Sequence, residues 1–140
     1  MLTIIKWINE NIVFPLRWNY LVAYLSPYLQ NATDVLDLGA SCGRLANELS
    51  KKFPKIHFVG VDTHVQPKTF IPIKKYDGKK IPFPDNSFDC VMIIDVLHHD
   101  KNPEHILKEA KRVSRKYILI KDHYWNLNST LNPNDRSGVC

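Results

Sequence analysis

The 140-residue sequence predicts a single α/β domain built on a mostly parallel, doubly wound sheet. Three observations lead there. Two segments, residues 34–62 and 88–122, each read strand, helix, strand, which is the order of a βαβ unit. The strand candidates hold runs such as VMII and ILI that are apolar on both faces, as strands covered on two sides must be. The intervening helix candidates each carry one apolar stripe and one charged face.

The elements follow in order. Residues 2–13 predict an amphipathic helix with Ile4, Ile5, Ile8 and Ile12 on one stripe and Lys6, Asn9 and Glu10 opposite. Pro15 is expected to end it, and the stripe is expected to pack on the domain as a lid. A second helix is expected over 17–29, burying Leu21, Val22, Leu25 and Leu29. Asp34–Leu38 is a short strand. Residues 44–53 form a helix with Leu45, Leu49 and Phe53 inward, stopped by Pro54. HFVGVD at 57–62 is the next strand. Residues 63–80 read as irregular because Pro67 and Pro72 hinder a long helix. FDCVMIID at 88–95 is a strong strand. Asn102-Pro103-Glu104 starts a helix that runs through Ile106, Leu107, Ala110 and Val113. KYILIKD at 116–122 is the last strand, and the Asn-rich remainder reads as a loose tail. The organisation is N-terminal helices at 1–30, a core at 34–123 and a tail at 124–140.

Composition excludes several classes. No segment approaches the ~20 apolar residues of a membrane span. The N-terminus has neither the basic region nor the cleavage site of a signal peptide, so a cytoplasmic location is expected. Cys42, Cys90 and Cys140 are an odd number without metal-ligand spacing. That argues against a disulfide framework and a zinc site, and fits a reducing compartment. The net charge is +5, but Lys and Arg are dispersed, which favours a solvated surface over a nucleic-acid patch. Residues 2–13 offer a possible membrane-surface contact.

The chemistry gathers where strands end. Open α/β sheets bind ligands beyond the carboxyl ends of their strands. The stretch DVLDLGASCGRLA, residues 34–46, ends a strand at Asp37-Leu38 and enters a helix through Gly39 and Gly43. Glycines let the backbone approach a ligand, and the helix N-terminus directs N–H groups at it. Asp62 closes the second strand, about 20 residues on, where an acid suits the hydroxyls of a ribose. A dinucleotide site requires G-x-G-x-x-G, and Gly-Ala-Ser-Cys-Gly fails at the second glycine. That spacing disfavours a dehydrogenase.

The pattern Asp37-x-Gly39-x-x-x-Gly43 resembles the first motif of class I S-adenosylmethionine-dependent methyltransferases. YDGKKIPFPDNSFDCVMIIDVLHH, residues 76–99, is similar to the acidic-loop and fourth-strand region of the type 11 group, and residues 105–123 continue the match. The resemblance spans about residues 34–123 and implies a Rossmann-like sheet with S-adenosylmethionine as cofactor. It implies that Asp37, Gly39, Ala40, Ser41 and Gly43 shape the methionine end of the pocket. Asp62 would hold the ribose with Thr63 beside it, and Asp77 with Tyr76 and Gly78 would sit by the adenine. Asp95, Val96 and His98 would close the floor, and His99 would face the substrate. His98 and His99 are the catalytic candidates, and no metal is implied. Ser41 takes the place of the family's middle glycine, where a Cβ penalises positive φ and reduces clearance.

Two departures follow. The segment between Asp62 and Asp77 is short, so a third strand there should be shrunken or irregular. The sheet is expected to be truncated after its fifth strand, leaving that strand as an exposed edge. Two functions therefore compete. One is a compact methyltransferase acting on a small-molecule or other acceptor. The other is a non-catalytic methyltransferase-like module that binds the cofactor or serves as a partner subunit. The exposed edge predicts self-association or a partner, with the contact along residues 117–125 and the tail.

Overall fold

The computed structural model describes residues 2–122. Five parallel strands form one sheet: β1 (Asp34–Leu38), β2 (His57–Asp62), β3 (Ile73–Lys75), β4 (Phe88–Ile94) and β5 (Ser114–Lys121). Their order is β3-β2-β1-β4-β5, as expected of a doubly wound α/β sheet. The chain builds one half outward from β1, then crosses to the other side for β4. The reversal falls between β1 and β4, and a ligand crevice belongs at that switch point. The expected weak third strand is present and three residues long.

The covered faces explain the apolar strands. α2 (Phe14–Leu29) and α3 (Arg44–Lys52) cover one face, where Leu21, Leu25, Leu29, Leu45 and Leu49 meet Val35, Cys90 and Met92. α4 (Pro103–Val113) covers the other, where Ile106, Ala110 and Val113 meet Leu36, Leu38, Val91 and Ile93. Val35, Leu36, Val91 and Met92 are wholly buried, so successive residues of β1 and β4 are apolar without alternation. Asn102 stands at the α4 N-cap and Pro103 in its first turn, although the Asn102 side chain makes no capping hydrogen bond.

The N-terminal region departs from expectation in two ways. α1 (Leu2–Ile8) does not end at Pro15 but passes through a π-helical turn, Asn9–Val13, straight into α2. The Phe14 N–H bonds the Asn9 carbonyl five residues back, and Pro15 sits in the first turn of α2. The widened turn takes in one extra residue, which accommodates a ring that would otherwise crowd the preceding turn. The isoleucine stripe, moreover, is no packed lid. Ile4 is 65% exposed, Ile5 55%, Ile8 39% and Ile12 45%. Helical periodicity identified an apolar face, but these side chains are exposed rather than buried against the domain.

A register shift between β4 and β5 has a packing role. Phe88 opposes Ser114 and Cys90 opposes Tyr117, so β5 holds one extra residue. Arg115 and Lys116, inside the shift, both reach buried Asp89, at 3.2 and 3.3 Å. Thr33 adds its N–H and hydroxyl to the same carboxylate, and these bonds hold Asp89 down at a pKa of about 2. Among the described residues β5 pairs with β4 alone. The tail, and residues 123–125 of the expected contact, lie outside the described residues. No helix among those described is long and apolar enough to cross a membrane. Cys90 is a free buried thiol pushed up to about 12 by burial.

Candidate active site

The site is assembled at the carboxyl ends of β1, β2 and β4. Asp37 is the fourth residue of β1, flanked in register by Gly60 of β2 and Met92 of β4. It is buried, and burial with the nearby Asp62 carboxylate pushes its pKa up to about 7. A carboxyl so placed is poised to ionise when a cation arrives.

The glycine turn follows. Gly39 has φ +78° and Gly43 has φ +76°, in the left-handed region that favours glycine. A Cβ on Gly39 would stand 2.6 Å from Val96 Cγ2, and one on Gly43 would stand 2.4 Å from Ile71 Cγ1. The Gly39 and Ala40 N–H groups bond the Val61 carbonyl, which folds the turn over β2. Gly60 makes this possible, because a Cβ there would lie 2.7 Å from the Ala40 methyl. Ser41 sits between them at φ +53°. The serine therefore adopts the conformation for which the family uses glycine, with the strain the sequence anticipated.

Asp62 organises the turn as well as facing it. Its Oδ2 accepts the Ser41 N–H at 2.8 Å and its Oδ1 accepts the His64 N–H at 2.9 Å. Each carboxylate oxygen keeps a second lone pair for a hydroxyl. The Tyr76 N–H bonds the Asp62 carbonyl, bringing the acidic loop alongside, and Thr63 lies against Gly78, whose φ is +77°. Asp77 is exposed, and its Oδ1 accepts the Lys79 and Lys80 N–H groups at 2.8 and 3.0 Å. Those bonds hold its carboxyl below the usual range.

Across the crevice, Asp95 follows β4 at φ +56°. Its carboxylate meets Lys121 at 2.6 Å and Arg17 at 3.3 Å, and its N–H bonds the Lys121 carbonyl. Val96 lies against Gly39 and begins the 3-10 turn Leu97–His99. The His98 and His99 rings lie in tilted contact, with centroids 3.9 Å apart and their planes at 43°. Asp122, just past β5, accepts the Leu97 N–H at 2.7 Å and lies 2.5 Å from His98 Nδ1. Sequence reading missed Gly60, Arg17, Lys121 and Asp122. Asp122 carried one usable signal, as the acid ending the strand beside the one that leads to His98.

Residues 36–117 match the type 11 methyltransferase domain. The chain belongs to that family.

Individual relatives extend the match. An uncharacterised protein of Methanocaldococcus jannaschii is 28% identical over 116 residues, covering 79% of this chain and 52% of that protein. The ubiquinone/menaquinone biosynthesis C-methyltransferase UbiE of Nitrosospira multiformis is 37% identical over 57 residues, covering 41% of this chain and 23% of that protein. A crystal structure from Pyrococcus horikoshii superposes with a TM-score of 0.66 at 25% identity, covering 76% of this chain and 52% of that one. The chain thus spans about half the length of such relatives or less.

The donor set fits the cofactor that this family implies. S-adenosylmethionine carries an ammonium, a sulfonium and two ribose hydroxyls. The crevice offers a buried carboxyl, Asp37, with a second carboxylate at the next strand end, Asp62.

A separate groove of about 400 Å³ lies at the opposite end of the sheet, lined by residues such as Thr33, Phe53 and Ile56. It is remote from these acids and takes no part in the site.

Proposed function

We propose that this chain binds S-adenosylmethionine across the carboxyl ends of β1, β2 and β4 and transfers its methyl group to a small-molecule acceptor. The observation that carries the reading is Asp37, a buried carboxyl at the β1–β4 switch point. Its raised pKa marks a site that becomes favourable once a cation is bound. When bound, the cofactor supplies a methyl made electrophilic by its sulfonium.

The residues of the chain do the rest. Asp37 would neutralise the positive methionine end, with Gly39, Ala40, Ser41 and Gly43 shaping that wall. Asp62 would accept from the ribose hydroxyls while its bonds to Ser41 and His64 keep it aimed. Tyr76, Asp77 and Gly78, beside Thr63, would border the adenine. Asp95, Val96 and His98 would form the floor. Methyl transfer of this kind gains chiefly from in-line alignment and exclusion of water.

Calorimetry tests the reading. Asp62→Ala leaves a bound ribose without its acceptor and is expected to weaken cofactor binding about tenfold or more, from a loss of roughly 1–3 kcal/mol. NAD binding in place of S-adenosylmethionine would overturn the assignment. Binding without methyl transfer to any acceptor in a cell extract would instead support the non-catalytic module.

Ser41→Gly probes the turn. It relieves a left-handed serine costing about 1–2 kcal/mol and returns roughly 0.4–1 kcal/mol of unfolded-chain entropy. The expected result is a small rise in thermal midpoint together with tighter cofactor binding. An unchanged or weaker affinity would show that the hydroxyl belongs to the pocket.

A further inference from the structure

We propose that the outer face of the N-terminal helix is a self-association surface, on which two copies of this chain pair antiparallel about a two-fold axis at Leu16. The proposal does not depend on the methyltransferase reading.

The surface is a single row. The helix runs without a break from Leu2 to Leu29 through its π-helical turn, a length of about 40 Å. Along it, every fourth position is large and either aliphatic or aromatic. Ile4, Ile8, Ile12 and Leu16 form the first half. Tyr20, Tyr24 and Tyr28 form the second, with ring centroids 6.0 Å apart in the first pair and 6.5 Å in the next. All seven side chains are exposed, between 39% and 65%. In an α-helix every fourth residue drifts about 40° round the axis, which would wind so long a row off one face. The π-helical turn, Asn9–Val13, takes more residues per turn and so opposes that drift between Ile8 and Ile12. Rows spaced by four are also the ridges that pack into the grooves of a facing helix.

Size and charge select the occupant. Half-exposed side chains of this kind show water on the order of 100 Å² apiece, so the row approaches the roughly 800 Å² per partner of a stable interface. A lipid surface would call for Lys and Arg along the polar face of the helix. Residues 2–29 carry three charged side chains, Lys6, Glu10 and Arg17. Lys6 lies 3.8 Å from Glu10, and Arg17 lies 3.3 Å from Asp95, so both cations face carboxylates of their own chain. The row itself is uncharged, and a second copy brings no like-charge repulsion to it.

A two-fold axis makes such a contact self-complementary. With the axis at Leu16, Ile12 stands opposite Tyr20, Ile8 opposite Tyr24 and Ile4 opposite Tyr28. Each aliphatic half then covers an aromatic half. The exposed α1 of each copy lies along the α2 of the other. The same helix carries Arg17 to Asp95, so the pairing braces the element that reaches the end of β4.

Sedimentation of the full chain from micromolar to millimolar concentration tests the surface, and the expected species is a dimer. Ile12→Lys and Tyr20→Glu each place two unpaired charges in the contact and should weaken it about a hundredfold or more. Mixed together, the lysine of one chain stands opposite the glutamate of the other while the second Ile12–Tyr20 pair stays native. The mixture should recover about tenfold or more of the lost affinity. Leu16→Ala, which adds no charge, should weaken the dimer about tenfold. Ile120→Lys, on the exposed edge of β5, should leave it intact. A native chain that stays monomeric throughout overturns the proposal. So does a dimer that Ile120→Lys dissolves and the helix variants do not, since its contact is then the β5 edge. Failure of the two helix variants to recover on mixing overturns the antiparallel pairing. Vesicles of phosphatidylglycerol and phosphatidylcholine supply the last arm. A monomer that binds them and is released by Tyr20→Glu would assign the row to lipid and overturn the dimer.

Discussion

Asp37→Asn is expected to stabilise the unliganded domain at pH 8 while weakening cofactor binding at least tenfold. The carboxyl is buried at the end of β1, and its pKa stands at about 7 against 3.8 for the free side chain. The folded chain therefore holds this proton more tightly than the unfolded chain does. The contribution of Asp37 to stability is largest below about pH 4, where both states are protonated. It falls as pH rises toward 7, because unfolding releases the proton, and it levels off above. A rise of that size corresponds to a loss of up to about 4 kcal/mol by pH 8. Asparagine fills the same space without ionising, so its profile should be flat between pH 4 and 7.

Asp89 provides an internal control of opposite sign. Its pKa lies at about 2, so its contribution is present above about pH 4 and is lost as pH falls. Urea titrations from pH 2 to 8 should retain that acid limb in Asp37→Asn and lose only the neutral one. An unchanged slope between pH 4 and 7 would place the proton elsewhere. On the ligand side, a cofactor bearing positive charge favours ionised Asp37. Its affinity for the native chain should rise with pH through about 7, and that rise should vanish in the variant. Stability and binding are thus opposed in one residue, as expected where a charge is kept buried for a ligand.

This residue also shows what the sequence made legible. Asp37 and Asp62 could be picked out because each ends an apolar run and precedes a loop, and strand ends in such sheets converge on one crevice. The structure converges them closely enough that one raises the pKa of the other. Ser41 was legible as an anomaly, and its φ of +53° confirms the strain.

Features that depend on what lies across from a residue were not legible. The isoleucine stripe of α1 has helical spacing, but spacing does not reveal a covering surface. Pro15 signalled a helix end, yet one residue accommodated in a π-helical turn carried the helix past it. Asp122 gained its partners only when β5 was laid beside β4, a relation between residues more than 20 positions apart.

The stretch IPFPDNSFD, residues 81–89, carries much of the family resemblance, and Arg112 shows that it is held mechanically. The α4 guanidinium donates to Glu109 at 2.7 Å, to Asp85 at 2.8 Å and to the Ile81 and Phe83 carbonyls, each at 2.9 Å. Glu109 in turn accepts the Ile81 N–H at 2.8 Å. One planar fork thus ties the acidic loop to the helix, and Arg112 and its neighbours hold the Glu109 carboxyl below its usual range.

Arg112→Ala strands a shielded carboxylate and two carbonyls. Breaking a fully buried pair costs about 3–5 kcal/mol. Asp85 is 70% exposed and water can take its share, so a loss of about 2–3 kcal/mol is expected here. Arg112→Lys supplies a charge without the fork and should recover only part of it. Urea unfolding at pH 7 measures both variants, with the denaturant slope as a check that folding stays cooperative. Cofactor affinity in the folded variant should change far less than in Asp62→Ala, because Arg112 touches the loop behind Asp77 and none of the strand-end acids. A stability loss below about 0.5 kcal/mol would mean that water replaces the guanidinium. The IPFPDNSFD loop would then be held by Phe83, which packs edge-on against Phe88, and by Ile81 in the core.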